Sequence, residues 1–307
     1  MARALVILNP SSGNGAGAKL EPAITAALRE GGLDFDLTRT TAPRQAIQIA
    51  EQALRNGYER LIAVGGDGTL NETANGLMRS DNRGASGTLG IIPVGSGNDF
   101  GKVIGLAPNW KAGVERILAG RTRQVDIGRV AGDQPAPGYD NGPHYFVNGL
   151  DTGFGAQVAV HAHEWPFLTG TAMYLAAVFK TLVHYSVPHV RIELGDDLIE
   201  QESAMVAVSN GRCYGGGFWV APTAEADDGL FDVMIAQGLG RVGILTLIPK
   251  VMKGTHIGDP RVRFEQATRV VIESPDPLIV EADGELPFLE AHRLEIDILP
   301  KRLCLLA

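Results

Sequence analysis

Within the first 130 or so residues, short aliphatic runs alternate with segments of helical periodicity, and that alternation constrains the chain more than any other feature. Ala4–Leu8 reads as a strand, Gly17–Glu30 as a helix, Asp34–Thr40 as a strand, Ala42–Asn56 as a helix and Arg60–Val64 as a strand. Glu72–Met78 continues as helix, Leu89–Ile92 as a fourth strand and Trp110–Ala119 as a further helix. Repeated β-α order predicts a parallel, doubly wound sheet with helices on both faces, in which ligands gather beyond the carboxyl ends of the strands. The segment up to residue 124 is therefore expected to be one α/β domain.

From residue 125 strands follow strands. After a Pro/Gly loop, extended runs recur at Tyr145–Leu150, His189–Leu194, Ser203–Ser209, Leu230–Ile235, Arg269–Ser274 and Leu278–Glu281, with helical stretches only at Thr171–Tyr185 and Arg241–Lys253. Residues 125–290 are expected to form a mostly antiparallel β-sandwich domain with helices attached. Leu294–Leu299 and Leu303–Leu306 are again apolar, extended or helical.

Composition excludes several classes. At 45% hydrophobic and 20% charged the chain is globular. The longest membrane-span candidate, Thr171–Val183, is interrupted by Lys180 and is shorter than the ~18 apolar residues a span needs. The run before Asn9-Pro10 is too short for a secretory signal and reads as a first strand of a cytoplasmic protein. Cys213 and Cys304 have no metal-ligand spacing and make no disulfide framework. A net charge of -8 argues against nucleic acid as a partner. A homodimer is left open.

Three strand exits are rich in glycine. The first, Asn9-Pro10-Ser11-Ser12-Gly13-Asn14-Gly15, can aim backbone N–H groups at an anion. It lacks both the Lys-Ser/Thr of a P-loop and the glycine spacing of a dinucleotide fingerprint. The second, Gly65-Gly66-Asp67-Gly68-Thr69-Leu70-Asn71-Glu72, carries three glycines expected to allow positive φ and close backbone approach around one acid. The third, Pro93-Val94-Gly95-Ser96-Gly97-Asn98-Asp99-Phe100, adds a hydroxyl and an amide. Three such exits on one rim suit a polyphosphate, whose charge needs several N–H groups, hydroxyls and a metal together.

Together with Asn148-Gly149-x-x-x-Gly153-Phe154, Gly215-Gly216-Gly217, Pro222-x-Ala224-x-x-Asp227-Asp228-Gly229-Leu230 and Asp283-Gly284-Glu285, these motifs resemble the diacylglycerol kinase catalytic family, which includes the soluble bacterial lipid kinases and sphingosine and ceramide kinases. The Gly-Gly-Asp-Gly-Thr element alone is shared with NAD kinases and, more loosely, with phosphofructokinases. The resemblance implies a two-domain, ATP-dependent kinase whose last segment, about 291–307, returns to the first domain. It implies that Asn9, Pro10, Ser11, Ser12, Gly13, Thr40 (with Thr41 competing), Gly65, Gly66, Asp67, Gly68, Thr69, Leu70, Asn71, Glu72, Ser96 and Asn98 line the nucleotide. It also implies that Mg²⁺ is held near Glu225, Asp228 and the Leu230 carbonyl, oxygen donors that suit a hard cation. Asp67, Asp283 and Glu285 are the catalytic candidates, with Glu285 favoured over Asp67 as general base.

The expected reaction is transfer of the γ-phosphoryl group to a lipid hydroxyl in phospholipid metabolism. Diacylglycerol is the first candidate, with sphingoid bases, ceramide-like lipids and phosphatidylglycerol open. An NAD kinase or a regulatory protein that binds nucleotide without catalysis are the alternatives. Such an enzyme would meet its lipid peripherally and reversibly at a membrane surface, and Lys250, Lys253, His256, Arg261 and Arg263 form a candidate anionic-headgroup contact. Met173, Tyr174, Ala177, Val178, Thr181 and Leu182 read as a core-facing stripe, Trp165 and Phe167 as an interface or loop anchor, and His161–Glu164 as a solvated loop.

Overall fold

The protein is described as a computed structural model over residues 3–81, 87–163 and 170–307, with the side chains of 81, 163 and 170–175 outside the description. It divides into two compact units: the chain up to Ile127 together with Pro300–Ala307, and Gly128–Leu299.

In unit 1 the elements run β1 (Ala4–Leu8), α1 (Ser12–Glu30), β2 (Phe35–Arg39), α2 (Gln45–Arg55), β3 (Arg60–Gly65), α3 (Asp67–Asp81), β4 (Thr88–Pro93), α4 (Asp99–Val103) and α5 (Trp110–Ala119). The strands pair in parallel in the order β2-β1-β3-β4. Every residue of β1 is buried, as a strand covered on both sides must be. Ala4, Val6 and Leu8 cluster with Ile24 and Leu28 of α1 and Val114 and Ile117 of α5. α2 buries Ala46, Ile47, Ala50, Ala53 and Leu54 at helical spacing. It lies so close to α3 that a β-carbon on Gly76 would sit 2.3 Å from the Ile47 carbonyl oxygen.

Two strands carry the chain across the unit border, β5 (Thr122–Gly132) and β13 (Glu285–Leu306). The end of β13 lies parallel to β4 through Cys304 and Leu305. Unit 2 contains β6 (His144–Phe146), β7 (Gly149–Gly153), α6 (Phe154–His163), α7 (Gly170–His184), β8 (His189–Leu194), β9 (Asp197–Ser209), β10 (Phe231–Gln237), α8 (Arg241–Met252), β11 (Val262–Ala267) and β12 (Arg269–Ala282). Its strands pair antiparallel in the order β11-β10-β9-β7-β12-β13, with β8 joined to both β9 and β12. Alternate residues such as Val270, Ile272, Leu294, Ile296 and Ile298 fill one core. A second cluster joins Phe154 and Val158 of α6, Ala177, Val178 and Leu182 of α7 and Ile244 of α8.

The stripe on α7 is thus buried at Ala177, Val178, Thr181 and Leu182, while Met173 and Tyr174 lie outside the described side chains. The solvated-loop reading of His161–Glu164 needs correction: His161 to His163 end α6, and Glu164, like Trp165 and Phe167, lies outside the described residues. Alanine and valine fill that helix so evenly that its periodicity is weak. Among the described residues no helix is long and apolar enough to cross a membrane.

Candidate active site

The three glycine-rich exits of unit 1 meet. Asn9 donates its backbone N–H to the Val64 carbonyl and its side-chain amide to Thr69 Oγ1 at 3.1 Å, so the first loop is tied to the second. A β-carbon on Gly13 would lie 2.3 Å from the Val94 carbonyl oxygen, and one on Gly95 would lie 2.5 Å from Gly66 Cα. Gly13, Asn14 and Gly15 are successively left-handed, at φ 58°, 55° and 85°. Runs of that kind turn N–H groups toward an anion. Thr40 is buried and donates its N–H to Leu8 beside the first exit, whereas Thr41 bonds Gln45.

Gly65, Gly66 and Gly68 do not adopt the expected positive φ. Gly65 is required by the Thr69 side chain, 2.3 Å from where a β-carbon would stand, and Gly66 by its contact with Gly95. Gly95→Ala is therefore expected to wedge the second and third loops apart and raise the KM for ATP at least ~10-fold with the fold retained, because the clash is with backbone that cannot rotate away. ATP titration beside a thermal melt checks this.

Asp67 accepts the Phe100 N–H at 3.3 Å and is aimed at the third loop, where a β-carbon on Gly97 would lie 2.8 Å from Asp67 Oδ2. Burial holds its carboxyl above the ordinary range, the Asp99 carboxylate adds to the shift, and N–H groups of Phe100, Asp99 and Asn98 oppose it. Asn98 is left-handed at φ 49° and closes the loop by donating to the Gly95 carbonyl, while Ser96 is exposed. Leu70, Asn71 and Glu72, expected beside the nucleotide, are engaged within unit 1 through their side chains. Leu70 and Asn71 are buried at 3% and 1% exposure, and Asn71 accepts from Asn75. Glu72 receives the N–H groups of Arg44 and Ala46, both at 3.0 Å, and so caps α2, whose own preceding residue offers no side-chain cap.

In unit 2 the Asp283-Gly284 pair is the two-residue turn between β12 and β13, with φ 50° and 89°, and Ala282 faces Glu285 across it. The Asp283 carboxylate is engaged by backbone. It accepts N–H groups from Val147 at 2.6 Å, Asn148 at 3.0 Å and Gly149 at 3.1 Å. Glu285 is half-buried and accepts a hydrogen bond from the Tyr139 hydroxyl at 2.8 Å.

Beside this turn is a cavity of about 320 Å³ that sequence reasoning missed. Phe154 and Val158 of α6, Met205 of β9, Met234 of β10 and Leu247 and Val251 of α8 give it an apolar wall, and Gly284 is at its edge. Its ionisable groups are Asp151 and Glu281, with the Tyr214 phenol beside them. One signal was available, an acid inside each of the apolar runs that became β7 and β12.

The third constellation is Glu225, Asp228 and Leu230 on the loop before β10. The Leu230 N–H donates to Asp228 Oδ1 at 3.0 Å, and the turn at Gly229 has φ 78°. Behind it Asp232 is buried, receives the Thr223 hydroxyl at 3.0 Å and leaves Oδ2 without a partner. Burial raises its carboxyl, and the charges of Asp228 and Glu225 raise it further. A local excess of carboxylate oxygen suits a hard cation. Among the described residues no three carboxylate, imidazole or thiolate side chains gather closely enough to hold a metal by themselves, so a carbonyl and waters would complete the shell.

Residues 3–130 match the model of the diacylglycerol kinase catalytic domain, and residues 148–307 match that of the YegS C-terminal NAD kinase beta sandwich-like domain. The diacylglycerol kinase of Bacillus subtilis (strain 168) is 28% identical over 312 residues, covering 98% of this chain and 97% of its own. That of Staphylococcus saprophyticus is 28% identical over 287 residues, covering 92% and 88%. A crystal structure from Bacillus anthracis str. Sterne, of a chain named for the same activity, superposes with TM-score 0.80 at 23% identity over 99% of this chain and 96% of that one, and so shares the fold. By class this protein is a lipid kinase. It belongs to the diacylglycerol kinase catalytic family, with a kinase catalytic domain followed by a strand-rich, sandwich-like one.

Proposed function

We propose that the chain transfers the γ-phosphoryl group of ATP to the free hydroxyl of a diacylglycerol-like lipid. The observation that carries this reading is the apolar cavity of unit 2 with the Asp283-Gly284-Glu285 turn at its edge. Its wall suits acyl chains, whereas the ribose of NAD would find few polar partners there. Unit 1 is read as doubly wound in the manner of NAD kinases and phosphofructokinases. Its strand order reverses between β1 and β3, and right-handed crossovers then send α1 to one face and α2 and α3 to the other. The switch point is where a nucleotide binds in such sheets, and the three joined loops lie at its exits.

A lipid hydroxyl is a weak nucleophile at neutral pH. Glu285, oriented by Tyr139, takes its proton as the oxygen approaches phosphorus in line. Asp283 acts by fixing the turn that presents Glu285. Asp67 orients the phosphate end from unit 1. Mg²⁺, when bound, neutralises developing phosphate charge, and Glu225, Asp228 and the Leu230 carbonyl would hold it. Asp228→Ala is expected to raise the Mg²⁺ concentration for half-maximal activity several-fold, because a hard cation loses an anionic ligand or the group orienting its waters. A Mg²⁺ titration at saturating ATP reads the effect.

The acceptor resides in a bilayer, and α8 offers a route. Its inner residues line the cavity while Val242, Leu245 and Met252 are exposed, as are Phe179 and Val183 of α7. The Arg241 guanidinium joins the two helices by donating to the Val183 carbonyl at 2.8 Å. The basic cluster expected to attract headgroups is instead largely neutralised. Lys250 and Arg261 both pair with Asp259 at 2.8 Å, Arg263 pairs with Glu265 and Asp197, and His256 is buried against the Val220 carbonyl. Reversible association through apolar contact is therefore expected, and Val242→Asp should reduce vesicle co-sedimentation while salt changes it little. The reading as a whole is tested by radiolabelled transfer from ATP to a lipid panel in mixed micelles. Label in diacylglycerol supports it, and label in NAD with none in any lipid overturns it.

A further inference from the structure

We propose that Asp151 and Glu281 select the head group of the lipid entering the unit 2 cavity, admitting an uncharged, hydroxyl- and ester-bearing head and excluding an anionic one. The inference rests on the lipid-acceptor reading above and extends it to which lipids are taken.

The two acids stand directly opposite each other, Asp151 on β7 and Glu281 on β12, in an antiparallel register. Residues so paired project from the same face of a sheet. They are 4% and 7% exposed, and both line the cavity. Among the described residues the rest of the lining is apolar apart from Tyr214, and none of it is lysine, arginine or histidine. A pair of buried acids without a cation cannot both ionise at neutral pH, because each charge opposes the other in a medium that solvates neither. Burial pushes Asp151 up to about 7, against hydrogen bonds from Glu281 and the Ala156 N–H. Burial and then the charge of Asp151 hold Glu281 well above the carboxylate range. Glu281 therefore keeps the shared proton, and its Oε1 also accepts the Gly284 N–H on the catalytic turn.

Asp151 Oδ1 is buried without a hydrogen-bond partner. It faces Gly155, where a β-carbon would stand 2.6 Å away, so the glycine at the start of α6 keeps this oxygen open. As the lipid enters, the hydroxyl of an uncharged head can donate to it, which returns a hydrogen bond to a buried acceptor that otherwise lacks one, before the same hydroxyl turns to Glu285 for transfer. A head carrying a phosphodiester would bring a second negative charge into the same cation-free space. Its exclusion grows as Asp151 ionises.

Other groups facing the pair leave that pH dependence to Asp151. Tyr214, from the loop before β10, and Tyr185, just after α7, are both held un-ionised by burial, with the nearby acid charge adding to it. Asp283 on the turn is engaged by three backbone N–H groups. Among the described residues, β9, β10, α6 and α8 contribute apolar side chains to the cavity.

The test presents a neutral diacylglycerol and phosphatidylglycerol, each at the same mole fraction in uncharged detergent micelles, and follows label transfer from ATP between about pH 6 and about pH 8, a range in which the phosphodiester stays charged. The preference for the neutral lipid, as a ratio of kcat/KM values, is expected to rise ~10-fold across that range in the native protein, through the lipid KM. Asp151→Asn and Glu281→Gln should flatten the rise and shrink the preference, with the KM for ATP unchanged. The general base affects both acceptors alike and cancels in the ratio, and a purely structural pair would leave the ratio alone. A ratio that does not change with pH in the native protein overturns the proposal even if both variants fail to fold. Label in neither lipid instead overturns the lipid-acceptor reading, a separate outcome from a flat ratio.

Discussion

Glu285→Gln is expected to leave ATP and lipid binding close to native and to lower turnover by ~10²–10⁴-fold. The substitution keeps shape and the ability to accept from the Tyr139 hydroxyl, which now bonds the carboxylate at 2.8 Å. It removes only the basicity that takes up the lipid proton. A loss confined to kcat is what an interaction made in the transition state alone predicts. Tyr139→Phe should cost less, since the base remains and only its orientation is loosened. Asp67→Asn should differ in kind: its carboxylate bonds the Phe100 N–H and stands at the phosphate loops, so nucleotide or metal use should suffer with turnover. Single-turnover kinetics with labelled ATP separate the two. Near-native turnover in Glu285→Gln, with only the chemical step lost in Asp67→Asn, would exchange the roles.

How much of this could be read from the sequence follows from what each feature depends on. The three glycine-rich loops were legible because strand, glycine and polar residue are contiguous there, and local chain geometry decides their form. The function of individual residues inside those loops was less so. Leu70, Asn71 and Glu72 continue the motif, yet α3 begins at Asp67, and its periodicity turns them into the unit, where Glu72 caps α2 from a distance of 28 residues along the chain. Both unit borders fall inside strands, β5 and β13, where composition does not change. The unit 2 cavity was invisible because its two acids are 130 positions apart in sequence and meet only through the β7–β12 register. The basic cluster changes for the opposite reason: its charges are close together in sequence, but Asp259 lies among them and pairs with both Lys250 and Arg261.

Asp283→Ala is expected to be the most destabilising single change at the site. In the folded chain its carboxylate is the common acceptor for the N–H groups of Val147, Asn148 and Gly149, which lead from β6 into β7. The position is left-handed at φ 50°, a conformation that alanine adopts less readily than aspartate or asparagine. Removing the acceptor leaves three backbone donors beside Asn148, itself 3% exposed, without the charge-assisted bonds that now satisfy them. At ~1–3 kcal/mol for each donor left unsatisfied, offset where water enters the half-buried turn, a loss of about 2–4 kcal/mol of unfolding free energy follows. Because β7 carries Asp151 and the turn carries Gly284 and Glu285, the same change should disorder both the acceptor cavity and the base. ATP binding by the loops of unit 1 should persist. Asp283→Asn keeps the turn conformation and one acceptor oxygen, so it should recover part of the stability but not full turnover. Urea unfolding gives the stability of both variants, and isothermal titration with ATP checks unit 1. Stability within 0.5 kcal/mol of native in Asp283→Ala, about the effect of an ordinary surface substitution, would show that the three bonds do not hold the turn.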